Sequence, residues 1–122
     1  MNLEKVIFGF FIVMALTLNF GFFMGDIDNP GHHHVYELAI AIFVNLVATV
    51  LKFGDRSQVG AILLATSLVA DLQLLAAALV WGINTEMTPE IMTIIVSLAG
   101  GAMLANVISV LLLVTETVLL RR

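Results

Sequence analysis

Asp71 stands near the centre of an apolar run, Val59–Trp81, that carries no other charge. A carboxylate at the middle of a membrane-crossing helix costs about 2.5–3.5 kcal/mol on the insertion scale. Such a group has to be protonated, hydrogen-bonded or in contact with a cation, so Asp71 is the first candidate for function. Asn45, Asn106 and Ser67 could supply neutral ligands beside it. Asn45 and Asn106 fall near the middle of their own apolar runs, and Ser67 lies one helical turn before Asp71. Asn19, Thr49, Thr66 and Gln73 add further polar atoms close in depth. Hard cations take several oxygen ligands with at least one carboxylate. A proton carrier needs only a carboxyl group poised between two accessible sides. The amides also have a plainer use, since hydrogen bonds between membrane helices contribute about 0.6–2 kcal/mol each.

A second cluster reads Asp26, Asp28, His32, His33, His34 and Glu37. Asn29-Pro30-Gly31 marks a turn that can fold the two acids toward the histidines. His33 and Glu37 are four residues apart at the start of a helical run and share a face. Imidazole with carboxylate suits Zn²⁺ or a related divalent ion, and histidine also changes charge near neutral pH. The alternative is a polar cap beside lipid headgroups, with the acids favoured by the helix dipole.

Thr49–Asp55 bears a faint likeness to a potassium-channel filter, but its first glycine is missing and Lys52 intrudes where a cation would sit. Backbone carbonyls arranged for a filter are not expected here. No phosphate loop, metalloprotease motif or nucleophile spacing occurs, so an enzyme is not expected. There is no cysteine, hence no disulfide and no thiolate site. Five basic residues in 122 do not make a nucleic-acid surface.

These residues must be held by helices. The chain is 61% hydrophobic and 11% charged, with a mean hydropathy of +1.09, far from the composition of a soluble domain. Four apolar runs, 3–24, 35–53, 59–81 and 91–120, are separated by short polar ones. About 20 helical residues cross a hydrocarbon layer of roughly 30 Å, and lipid forbids open strands. The expected fold is one all-α transmembrane domain over residues 1–122, an up-down bundle of four helices. Thr88 and Pro89 read as the cap and first residue of the fourth.

Lys5, Lys52, Arg56, Arg121 and Arg122 fall on one side if both termini are cytoplasmic. The expected setting is therefore a multi-pass protein of the cytoplasmic (inner) membrane, N-in and C-in. Glu116 is expected to form a weak surface ion pair near the terminal arginines. Rows of residues along each run could lie in helix contacts: Gly9, Val13, Thr17 and Gly21; Glu37, Ala41, Asn45, Ala48 and Lys52; Gly60, Ser67, Asp71, Ala78 and Gly82; Ser97, Gly101, Ala105 and Ser109. Small residues let helix backbones approach closely. A bundle this small encloses little space, so a pore between copies of a homo-oligomer, carrying a cation or proton, is expected; the alternatives are an accessory subunit docked on a larger membrane partner and a membrane-bound divalent-metal or pH sensor.

The stretches Gly25–His34, Leu51–Ser57 and Ala65–Leu74 resemble an uncharacterised bacterial family of small integral membrane proteins of about this length. The resemblance implies a four-helix membrane fold and brings no activity with it.

Overall fold

The computed structural model describes residues 3–24, 34–54, 57–84 and 86–120. Among these residues it has four helices: α1 (Leu3–Phe23), α2 (Val35–Lys52), α3 (Gln58–Ile83) and α4 (Pro89–Leu120). Each is long and apolar enough to cross a membrane, in agreement with the four hydropathy runs. The boundaries have local causes. Ser57 caps α3, its Oγ accepting from Gly60 N–H at 2.9 Å. Thr88 caps α4, its Oγ1 accepting from Ile91 N–H at 3.2 Å, and Pro89 takes the first helical position, where a missing N–H costs nothing. After α2 the chain turns at Gly54, whose φ of +90° favours glycine.

Packing fixes the topology. Each helix contacts its two neighbours, α1 with α2, α2 with α3, α3 with α4 and α4 with α1. Thr66 meets Ser109, and a Cβ on Gly101 would touch Gln73, so α3 and α4 run antiparallel. The start of α1 meets the end of α4 through Lys5 Nζ and Glu116 Oε1 at 3.1 Å. Lys5, rather than the terminal arginines, is thus the described partner of Glu116. The end of α2 also returns to the start of α1, with Lys52 Nζ 4.3 Å from the centroid of the Phe8 ring.

The buried apolar residues form two clusters. One gathers Phe22 of α1, Leu38 and Ala41 of α2, Ala70, Leu74 and Ala77 of α3, and Met92 through Ala105 along one face of α4. The other, nearer the start of α1, holds Phe8, Ile12, Ala48 and Leu63, with Val110, Leu112 and Leu113 of α4 against it. Large side chains such as Phe43, Leu72 and Leu104 point outward, as suits a bundle surrounded by lipid.

Two expected rows do not form the core. On α1 the buried face is Phe8, Ile12, Ala15, Asn19 and Phe22, while Val13 and Thr17 are exposed. On α4, Ala105 and Ser109 are buried but Ser97 is exposed. On these two helices the reason is geometric. A strict step of four residues drifts about 40° around the helix each time, so the row winds away from its neighbour. Alternating steps of three and four stay on one face. The α2 row includes a step of three, and its Ala41, Asn45, Ala48 and Lys52 are all buried.

Candidate functional site

A polar layer crosses the bundle where one apolar cluster gives way to the other. On α1, Asn19 lies between Ile12 and Phe22; on α2, Asn45 lies between Ala41 and Ala48. On α3, Ser67 and Asp71 lie between Leu63 and Leu74, and on α4, Asn106 and Ser109 follow Ala105. All six are buried. Every helix thus presents a polar side chain to the interior at its change of cluster.

Two hydrogen bonds tie the layer together. Thr49 Oγ1 donates to Asp71 Oδ2 at 2.5 Å, joining α2 to α3. Thr66 Oγ1 and Ser109 Oγ are 2.5 Å apart, joining α3 to α4. Asn45 sits one turn before Thr49 on α2, as Ser67 sits one turn before Asp71 on α3. Asn45 Nδ2 donates to Ala41 O at 2.7 Å, and Thr49 Oγ1 also lies 2.9 Å from Asn45 O. Because α2 and α3 run antiparallel, Asn45 lies one turn to one side of the Thr49–Asp71 contact and Ser67 one turn to the other.

Asp71 is 5% exposed, and its Oδ1 has no hydrogen-bond partner. No lysine or arginine among the described residues pairs with it; Lys52, although buried on α2, lies over the Phe8 ring. Other buried atoms in or beside the layer also lack a protein partner: Asn45 Oδ1, Ser67 Oγ, Gln73 Oε1, and both polar atoms of Asn19 and of Asn106. A buried polar atom left unpaired costs about 1–3 kcal/mol, and lipid offers it nothing. This chemistry can accept a proton on Asp71 or present several oxygens to a cation.

The four expected ligands, Asp71, Asn45, Asn106 and Ser67, are all buried in this layer. Two contributors carry more than the sequence assigned them. Thr49, read there as one oxygen among several, is the donor on Asp71. Asn19, expected in the outer half of its run, is fully buried between the clusters. Asn19 is conspicuous as the one amide within the first apolar run, whereas Thr49 stands out only once α2 is paired with α3.

The outer-loop cluster is only partly in view. Asp26, Asp28, His32 and His33 lie outside the described residues. His34 is exposed at the start of α2, where its carbonyl accepts from Glu37 N–H at 3.1 Å. The Glu37 side chain turns toward α1, with Oε2 2.9 Å from where a Cβ on Gly21 would stand. At the other end of the bundle, an open cleft of about 680 Å³ is lined by Glu4, Ile7 and Val50 through Gly54.

Comparison with curated proteins and with solved structures finds no match. Residues 32–117, which include α2, α3 and most of α4 with the polar layer they contribute, match a family of unknown function, DUF6394, and the chain belongs to that family.

Proposed function

We propose that this protein moves a cation or a proton across a membrane, with Asp71 as the intramembrane site. Asn45, Asn106 and Ser67 act as neutral ligands, and Thr49 positions the carboxyl group. The observation that carries this reading is a buried carboxylate with an unpartnered oxygen, set in a polar layer that all four helices share. If the layer served only to hold helices together, neutral amides would do so at lower cost than an acid. The two apolar clusters close it above and below, which suits a site occupied by one ion at a time. The orphaned atoms lie inside a single bundle, which supports a site within each protomer of a homo-oligomer.

The orientation is N-in and C-in in the cytoplasmic membrane, supported by the basic residues at one end. The Asp26, Asp28 and His32–His34 segment with Glu37 then forms an outer vestibule that gathers protons or divalent cations such as Zn²⁺. The test is flux into liposomes containing the purified chain. Wild type is expected to carry a cation or proton current, and Asp71→Asn to reduce it to the level of empty liposomes. Equal flux from both proteins removes Asp71 from the mechanism.

A second reading is an accessory subunit of a larger membrane complex. The exposed Val13 and Thr17, between Gly9 and Gly21 on α1, favour it by leaving a narrow face open to a partner or a second copy. No flux from pure protein, with a larger protein co-purifying, would select it.

A further inference from the structure

Of the two species the transport reading allows, we infer that Asp71 is built to hold a proton, carried as the neutral acid, and not a metal ion. The inference rests on that reading for its use, and it names what is moved.

The first argument is a count of hydrogens. Thr49 Oγ1 is 2.5 Å from Asp71 Oδ2 and 2.9 Å from Asn45 O. Both are O–H···O lengths, but a threonine hydroxyl has one hydrogen. Asn45 O is a carbonyl oxygen and has none to give. The two contacts are hydrogen bonds together only when the second hydrogen sits on the carboxyl group. Asp71 Oδ2 then donates to Thr49 Oγ1, and Thr49 Oγ1 donates to Asn45 O. When the proton leaves, the hydroxyl hydrogen turns about the Cβ–Oγ1 bond to Asp71 Oδ2. Asn45 O is not stranded, because the helix still supplies it with the backbone N–H of Thr49. Both forms of the acid are served with every heavy atom in place, which suits a group that takes up a proton and gives it back.

The second argument is the fit of a metal ion. Two ligand oxygens held about 2.0–2.6 Å from one hard cation stand roughly 2.8 Å or more apart, farther than Thr49 Oγ1 and Asp71 Oδ2. Such an ion also takes about six to eight oxygens. Among the described residues, Thr49 is the hydrogen-bond partner of Asp71, whose Oδ1 has none. The unpartnered oxygens of Asn45 and Ser67 fall to opposite sides of the contact and build no shell around it. A proton needs a single oxygen.

The third argument is charge. Asp71 lies between two apolar clusters, where a net charge is heavily penalised and a neutral acid is not. The other titratable side chains described on the helices stand in or near their terminal turns: Glu4 and Lys5 on α1, Tyr36, Glu37 and Lys52 on α2, Glu90 and Glu116 on α4. Lys5 pairs with Glu116, and Lys52 lies over the Phe8 ring.

Infrared difference spectra of the full chain in liposomes near neutral pH, wild type minus Asp71→Asn, read the proton directly. A carboxylic-acid C=O stretch that shifts in D₂O is expected. Thr49→Val removes the acceptor of the acid hydrogen and is expected to raise the frequency of that band, and Thr49→Ser to return it. A missing band, a band that NaCl or CaCl₂ removes saturably, or one unmoved by Thr49→Val overturns the inference. Flux from the same liposomes is the second measurement. With the voltage clamped by potassium and valinomycin, a pH step is expected to decay about tenfold or more faster than in empty liposomes, while uptake of radioactive sodium or calcium stays at the empty level. Sodium or calcium uptake that depends on Asp71, without faster pH decay, overturns this inference and leaves the transport reading intact. The acid band with no flux of any kind overturns the transport reading and leaves the proton on Asp71.

Discussion

Thr49 and Asp71, 22 residues apart in sequence, meet across the α2–α3 interface with Oγ1 and Oδ2 2.5 Å apart. The contact orients the carboxyl group. One oxygen is held by the hydroxyl and the other stays buried and unpaired. A hydrogen bond to a charged group contributes about 1.5–3 kcal/mol, more than a neutral one.

Thr49→Val keeps the shape of the side chain and removes that donor. Cation or proton flux into liposomes is expected to fall about tenfold or more, and Thr49→Ser is expected to stay near wild type. Flux from the two purified variants is the measurement. Unchanged flux in Thr49→Val would mean that the hydroxyl does not position the carboxylate.

The bond between Thr66 and Ser109 lies in the same layer and has a different role. It joins α3 to α4 through two neutral hydroxyls. A double-mutant cycle with Thr66→Val and Ser109→Ala is expected to give a coupling of about 0.6 kcal/mol, reaching about 1.7 kcal/mol at most. Reversible unfolding in detergent would measure it. Flux should be unaffected, because the two hydroxyls bond to each other and not to the carboxylate. A large change in flux would place this pair within the site.

The helices were legible in the sequence because a membrane leaves few ways to pair backbone groups, and hydropathy alone then marks the spans. The Thr88–Pro89 start of α4 was equally legible, since a cap is a local event. The contact faces were harder to read. The row from Gly9 to Gly21 looks regular on paper, yet its unbroken steps of four carry Val13 and Thr17 off the interface. Asp71, Asn45, Asn106 and Ser67 were identifiable because polar groups in apolar runs are conspicuous. Thr49 was not, because threonine is common in such runs and only the pairing of α2 with α3 brings it to Asp71. Asp26, Asp28, His32 and His33 fall outside the described residues, so their convergence rests on spacing alone.

Two glycines separate the demands of packing from those of helix propensity. A Cβ on Gly100 would stand 2.8 Å from Cε1 of Phe23 and 3.3 Å from its Cδ1, at the α4–α1 contact. Gly100→Ala therefore forces the ring to move and is expected to cost about 1–3 kcal/mol. A Cβ on Gly82 would meet nothing within 4 Å. Gly82→Ala is expected to be neutral or to stabilise by up to about 1 kcal/mol, through helix propensity. Thermal unfolding of the two variants should move in opposite directions or differ clearly in size. A loss in Gly82→Ala as large as in Gly100→Ala would show that a second chain packs against the end of α3.

Orientation can be read directly because the chain has no cysteine. Gln58, at the start of α3, and Glu86, before α4, are both exposed and lie at opposite ends of the bundle. Lys52 and Arg56 precede Gln58 closely, and a basic loop is retained on the cytoplasmic side. In intact cells Glu86→Cys is expected to react with a membrane-impermeant maleimide, and Gln58→Cys only after permeabilisation. The reverse pattern would put the cleft beside Lys52 outside and the Asp26–His34 segment inside, so that segment could not gather ions from the exterior. Reaction of both variants in intact cells would mean that the chain inserts in both directions. The five basic residues would then be too weakly biased to set its topology.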